Sequence, residues 1–504
     1  MNNSLKNVLQ TYARFIYPAV ILAISLGIYF PYYGTPQAMF WDENYHVASA
    51  QKHIDGVMYM EPHPPLGKML MAVGEVLFGD NENVNKSKLL ETDYLTGDNA
   101  PPEMTYTGFR WPSVIMMALS VVFFYGIINC ITQRAWLAAA FTSMVIFDNA
   151  LVIHSRAAML EGIQLFFILA ALYYFVRTAT RFVHHQKAIQ LKHYAILGVL
   201  IGLAIAVKVN AFILLLLFAM LFGIDQWSAI KTCDWRALLK RLATTVPSGV
   251  IPVAAVFFAV FYVHIGMGTQ VYQERTYKAS PEYLNQIRMG KTWSLKTFTL
   301  GMRDNWKYMS EYADGVPRLD ECKADENGSY AMNWPLTSKT ISYRWDKNTV
   351  DGKTVTKYKY LIGNPIVWFS VVAGIILSAG LIIGRFIYNH PIKDEKLFYW
   401  ICAFTGLYLS YMIAILQIER VMYLYHYLVP LLFGAVNLAL VFNYIYRDEV
   451  IANNKHTIIN ASLFALLVIA VFAFFSPFTY GFGLTEDQFE LRNWFSFWKL
   501  QVVR

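Results

Sequence analysis

Charge is the scarcest feature of this 504-residue chain: Asp, Glu, Lys and Arg together make up 15% of it, where a soluble protein uses about 25%. A water-solvated surface cannot be built from so little, which excludes an ordinary soluble globular protein. Cysteine is scarce too, with four residues, scattered and without a CxxC pair, which excludes a disulfide framework. No HExxH or paired Cys and His spacing occurs, so no metal site is read from the sequence. There is no internal repeat and no low-complexity tract. The first apolar run, residues 15–33, ends in Pro31-Tyr32-Tyr33 with no small-residue cleavage site behind it, so it is expected to remain as an anchor.

What the chain has in quantity is apolar sequence, gathered into runs of about 17 to 24 residues, enough to cross a hydrocarbon core of about 30 Å. Eleven spans are expected: residues 15–33, 110–130, 135–153, 157–177, 193–207, 209–226, 243–265, 363–384, 397–416, 424–445 and 457–476. The fifth and sixth are separated at Lys208-Val209-Asn210. Only that break puts the basic loop with Arg177, Arg181, Lys187 and Lys192 on the same side as the one with Lys231, Arg236, Lys240 and Arg241, as the positive-inside rule prefers. A lysine at the bilayer centre costs about 3 kcal/mol, which favours Lys208 at an interface. The net charge of +8 is therefore a topology signal and not a nucleic-acid footprint.

With the amino terminus inside, residues 34–109, 266–362 and the tail from 477 face outward. The first of these holds two amphipathic candidates, residues 43–56 and 65–79, suited to the interface. The second is rich in Tyr, Trp, Lys and Asp and carries turn signals at Asn327-Gly328 and Asp351-Gly352, so it is expected to be ordered. Cys322, in that loop, has no evident partner.

The chemistry-bearing residues concentrate on the outer side. Asp42 and Glu43 follow the first span closely, where a carboxylate near lipid head groups would serve as a base; an acidic turn with Asp42 capping a helix fits the same spacing. In His63-Pro64-Pro65-Leu66-Gly67-Lys68 the prolines would open a helix whose first amides, with Lys68, suit a phosphate, or the lysine would simply snorkel to head groups. Arg110 opens one span, Asp148 closes another, and Arg156 with Glu161 begins the next. Each alone is a plausible helix anchor, but ionisable groups at membrane depth are costly and are functional candidates together. Glu419-Arg420 precedes Tyr425-His426-Tyr427; the arginine would grip a phosphate through its fork, the tyrosines would form an aromatic belt, and His426 is structural or catalytic.

These residues, in this order, resemble the protein O-mannosyltransferases: Asp42-Glu43, His63-Pro64-Pro65-Leu66-Gly67-Lys68, Gly108-Phe109-Arg110, Asp148, Ser155-Arg156, Val207-Lys208, Asn333-Trp334-Pro335-Leu336, Gly363-Asn364-Pro365, and Arg420 followed by Tyr425-His426-Tyr427. The resemblance implies an all-α membrane protein of the GT-C glycosyltransferase fold with about eleven transmembrane helices. It divides into an N-terminal catalytic module over residues 1–265, a periplasmic loop region over 266–362, C-terminal helices over 363–476 and an outward tail from 477. It implies inverting transfer of mannose from a polyprenyl-phosphate donor to Ser or Thr of exported proteins. Asp42 is then the expected base and Glu43 its partner in acceptor or sugar binding. His63, Lys68, Arg110, Asp148, Arg156, Glu161, Arg420 and His426 are the expected donor-phosphate or substrate contacts. No cofactor is required, since cationic side chains suffice for a leaving phosphate, although the residues leave room for a divalent cation.

Residues 266–362 are too few for the inserted β-trefoil of eukaryotic members, which points to the compact bacterial form. That form would sit in the inner membrane, work at the periplasmic face, meet membrane lipids and bind no nucleic acid. Glu161 stands where many relatives carry aspartate. A related transferase with a lipid acceptor, of the aminoarabinose-transferase kind, is the nearest alternative, though its Pro-Pro segment usually follows Lys where this chain has His63. A transporter or flippase is disfavoured, since such proteins place polar groups at the midplane and show paired halves.

Overall fold

A computed structural model describes residues 3–97, 100–323, 325–350 and 353–503. Among them, seven helices are long and apolar enough to cross a membrane: Thr107–Thr132, Leu160–His185, Trp235–Met267, Pro365–Phe386, Glu395–Leu416, Leu424–Ile445 and Lys455–Tyr480. Ala135–Ile146 and Asn149–Ser155, bent by 61° at their junction, make an eighth if taken as one span, and the apolar helices Phe15–Tyr29, Leu191–Val207 and Val209–Asp225 are shorter. All eleven expected segments are thus helical, and seven or eight of them have the length and composition to cross a membrane. The chain is an integral, multi-pass membrane protein.

Local sequence explains where these helices start. Asn364 accepts from the Ile366 amide at 3.1 Å ahead of Pro365, Asp394 from Leu397 at 3.0 Å, and Asp234 from Ala237 at 3.1 Å, each satisfying an otherwise orphaned N–H. Pro365 at the first helical position sacrifices no bond.

The chain divides into two compact units. One comprises Met1–Pro31, Ala118–His154 and Pro317–Arg504. Within it, Asn437 donates to Ser378 at 2.6 Å and to Thr405 at 3.3 Å, a polar link among three spans of the kind that holds helices together in lipid. The long segment between the Trp235–Met267 and Pro365–Phe386 helices contributes a hairpin, Ile341–Val350 paired antiparallel with Lys353–Leu361. Its connecting Asp351-Gly352, where a turn is expected, lies outside the described residues. The short strand Gly483–Leu484 adds to the hairpin's second strand, and Tyr358, Tyr360, Phe475, Phe478, Phe489 and Trp498 form an aromatic core beneath it. The tail is therefore folded onto the hairpin, with Lys339 and Thr340 donating to the carbonyls of Phe497 and Trp498 at 2.9 and 3.0 Å. Cys322 is exposed with a free thiol.

The other unit comprises Tyr32–Met117 and Ser155–Val316. The expected amphipathic segments are present as Glu43–Ile54 and Leu66–Phe78. They share a core of Val47, Ala48, Met71, Ala72, Tyr106, Phe109, Leu160 and Val207. The break at Lys208 is real: the Leu191–Val207 helix stops, Lys208 is extended, and a 3-10 turn over Val209–Leu215 leads into Leu216–Asp225. The carbonyl of Lys208 accepts from Gln164 Nε2 at 2.8 Å. This meets the requirement that backbone freed by a broken helix be satisfied inside the protein.

Candidate active site

The first loop of the second unit is built around a tight entry into the Glu43–Ile54 helix. Trp41 holds a left-handed backbone, φ 56°, a conformation that a bulky residue adopts at a cost and that recurs at functional sites. The next residue, Asp42, occupies the N-cap position, but its carboxylate makes no capping bond. Its carbonyl opens the helix by accepting from the Tyr45 and His46 amides at 3.0 and 3.1 Å. The carboxylate is half-buried, and its charge reaches Lys68 and helps keep that ammonium protonated.

Glu43 differs completely. It is fully buried and saturated: Oε1 accepts from Arg110 Nε and the Ala158 amide, both at 2.7 Å, and Oε2 from Arg110 Nη2 at 2.8 Å and the Phe40 amide at 3.1 Å. Arg110 is equally consumed. Its remaining N–H groups donate to the carbonyls of Tyr33, Pro36 and Ala38 at 3.3, 2.9 and 2.9 Å, which uses all five donors of the guanidinium. Both groups thus have their hydrogen-bonding capacity engaged within the protein. Together they clamp the loop leading to Asp42 against the starts of the Thr107–Thr132 and Leu160–His185 helices.

Lys68 is fully buried and ion-paired with Glu61. Ser49 donates to the same carboxylate. Burial lowers the Lys68 pKa from its ordinary value, while Glu61 and Asp42 oppose the shift. Lys68 stands in the first turn of the Leu66–Phe78 helix, and Gly67 before it is required by space: a Cβ there would lie 2.5 Å from Leu160 Cδ2 and 3.2 Å from Val207 Cγ1. His46 Nδ1 donates to the Ala158 carbonyl at 2.9 Å; burial, and then the charge of Lys68, push its pKa down to about 3. His63 is shifted the same way, by burial first and then by Lys68, Lys208 and His46. Both rings are neutral at neutral pH.

Glu161 pairs with Lys208 at 2.6 Å, both nearly buried. Lys208, expected at an interface from its sequence position, is half of an internal ion pair. Arg156 is buried in the same unit. The second unit therefore collects Asp42, His46, Glu61, His63, Lys68, Glu161 and Lys208 into one electrostatic neighbourhood, since the pKa shifts of Lys68, His46 and His63 report these charges on one another. Glu61, His46 and the pairing role of Lys208 escaped the sequence reading. A counter-charge for a lysine in an apolar helix could have been sought, and Glu61 and Glu75, each seven residues from Lys68, were the two nearest carboxylates in the sequence.

The other unit holds Asp148, Arg420 and His426. Asp148 is fully buried; Oδ1 accepts from the Leu151 amide at 2.9 Å, and Oδ2 from the Asn364 amide at 2.9 Å and Trp368 Nε1 at 2.8 Å. It caps the Asn149–Ser155 helix and secures Gly363-Asn364-Pro365. His426 donates Nδ1–H to the Tyr423 carbonyl at 3.0 Å. Its ring stacks on Tyr425 and Trp334, with centroids 4.5 and 6.0 Å away. Arg420 is half-buried, and its guanidinium makes no ion pair or hydrogen bond among the described residues. Among the described residues no group of three or more His, Cys, Asp or Glu could hold a metal ion.

Residues 19–267 match the family model described as dolichyl-phosphate-mannose-protein mannosyltransferase, and residues 304–498 the C-terminal four-transmembrane region of protein O-mannosyltransferase. A polyprenol-phosphate-mannose–protein mannosyltransferase of Mycolicibacterium smegmatis is 22% identical over 92% of this chain and 88% of its own length. The enzyme of that name from Mycobacterium tuberculosis is 21% identical over 87% and 81%. The solved protein O-mannosyltransferase Pmt1–Pmt2 complex of Saccharomyces cerevisiae, bound to the sugar donor, superposes with a TM-score of 0.79 at 15% identity, covering 96% of this chain and 92% of that one. The chain shares the fold of that membrane glycosyltransferase.

Proposed function

The chain belongs to the protein O-mannosyltransferase family, and on that premise we propose that it is an inverting GT-C glycosyltransferase moving mannose from a polyprenyl-phosphate donor to Ser or Thr hydroxyls of exported proteins. The observation that carries this reading is the placing of Asp42: it follows a left-handed Trp41, does not cap its own helix, and puts its charge close enough to the buried Lys68 to favour that ammonium, while its neighbour Glu43 is locked by four hydrogen bonds.

In this reaction the acceptor oxygen forms a bond to the anomeric carbon as the bond from that carbon to the phosphate oxygen breaks. Asp42 takes the hydroxyl proton, and a positioned base of this kind supplies about 10² to 10⁴ in rate. The phosphate leaves as an anion and needs charge compensation rather than a proton, which Lys68, Lys208, Arg156 and Arg420 supply. Glu61 and Glu161 hold the two lysines, and His63 and His46 are neutral rings beside them. Glu43, Arg110 and Asp148 position the segments that carry the reacting groups. The division into a catalytic module over 1–265, a periplasmic loop over 266–362, C-terminal helices over 363–476 and a tail from 477 fits this assignment, as does an eleven-span topology in a bacterial inner membrane with the site facing outward.

The experiment that tests the reading incubates the purified protein with polyprenyl-phosphate mannose and a panel of Ser/Thr peptides and lipid acceptors, and identifies products by mass spectrometry. Mannosylated peptide is expected. Transfer to lipid alone would reverse the choice of acceptor, and no mannose transfer to any acceptor would reject the reading.

A further inference from the structure

At the far end of the second unit's helices lies a cavity of about 460 Å³ lined by Tyr174, Arg177, Arg181, Lys187, Lys192 and His193, among others. It sits between the end of the Leu160–His185 helix and the start of the Leu191–Val207 helix. Glu161 is at the other end of the first of these. Sixteen to twenty helical residues separate it from Arg177 and Arg181, roughly 24–30 Å at 1.5 Å per residue, so this cavity is distinct from the candidate active site.

The four cations around it are uncompensated. No acidic residue lines the cavity, and none of the four has an ion-pair partner among the described residues. The contrast is local, because Arg241, which donates to the Ile189 carbonyl at 2.6 Å, does have a carboxylate, Asp225 at 2.8 Å. Like charges gathered around one concavity repel one another, and an anion seated among them removes that cost. The Leu191–Val207 helix begins between Gln190 and Lys192, both on the cavity wall, and adds the positive end of its dipole. The aromatic rings of Tyr174 and His193, 6.5 Å apart, give the site a side for apolar contact. A volume of this size suits a head group rather than a whole lipid.

We propose that this cavity binds a phosphate-bearing anion: the head group of an anionic phospholipid, or a soluble phosphate of the same chemistry. Full-length protein in detergent is equilibrated with cardiolipin and phosphatidylcholine, and retained lipid is counted by native mass spectrometry. Wild type is expected to retain cardiolipin about tenfold over phosphatidylcholine, and R181Q/K192Q to bring that preference within about twofold, as loss of two cations near an anionic head group requires. K231Q/R236Q removes the same charge from residues outside the cavity and is expected to keep the preference. A second arm adds inorganic pyrophosphate. If it displaces the lipid from wild type but binds R181Q/K192Q about tenfold more weakly, the occupant is a soluble phosphate; no displacement assigns the site to lipid. Thermal unfolding and mannose transfer are expected to be unchanged in R181Q/K192Q; if the double variant does not fold, Arg181→Gln alone is read against the same control. Equal retention of cardiolipin and phosphatidylcholine by wild type with no pyrophosphate binding, or equal losses in the cavity and control variants, would overturn the proposal.

Discussion

Glu43 and Arg110 form a bidentate pair with no exposure to solvent on either side chain. A pair of this kind is tested by breaking it, because the partner left behind is a buried, uncompensated charge. Glu43→Gln is expected to destabilise the protein by about 3–5 kcal/mol, read as a lowered unfolding temperature in detergent. A variant unfolding at the wild-type temperature would mean that the clamp is dispensable. His46 makes a second prediction at this scale. Its folded pKa of about 3 lies below the ordinary value of 6.5, so between those two values the unfolded chain binds a proton that the folded chain refuses. The stability it contributes is complete above pH 6.5 and is lost as the pH falls toward 3, at up to about 1.4 kcal/mol per pH unit. Wild type is expected to lose unfolding temperature between about pH 7 and pH 5 more steeply than His46→Gln; identical slopes would contradict it.

At the level of elements, the Leu66–Phe78 helix is fitted to its neighbours through Gly67. The leucine that a new Cβ would strike is itself buried, 1% exposed, and has little room to turn away. Gly67→Ala is therefore expected to cost about 1–3 kcal/mol and, by shifting the first turn, to lower transfer through Lys68. An unaltered unfolding temperature and rate would show that the turn adjusts freely. The helices themselves were legible from apolar run length, and so was the break at Lys208, from the sign of the flanking loops. The partner of Lys208 was not, because Glu161 lies on a different helix, 47 residues away. The hairpin over 341–361 was missed for a similar reason: its strands carry mixed polar sequence, and their burial comes from the tail, whose Trp498 and Phe489 are distant in the chain.

For the whole molecule, sequence order could collect the ionisable residues but not separate their duties. Asp42, Glu43, Arg110 and Asp148 look alike as charges near helix ends. Only their hydrogen-bond partners show that Glu43 and Arg110 form a saturated clamp and that Asp148 caps a helix, and those partners are set by tertiary structure. Arg420 is a candidate phosphate-binding cation whose guanidinium makes no ion pair or hydrogen bond among the described residues. Arg420→Ala is accordingly expected to weaken donor binding by about tenfold or more, the loss of one charge-assisted contact, with little change in stability. Unchanged affinity for polyprenyl-phosphate mannose would remove it from the phosphate site. The central claim, that Asp42 is the base of a mannosyl transfer, is tested most directly by the turnover of purified Asp42→Asn with polyprenyl-phosphate mannose and a Ser/Thr peptide. A loss of about 10² or more in rate with an unchanged unfolding temperature is predicted, and turnover near that of the wild type would contradict the account.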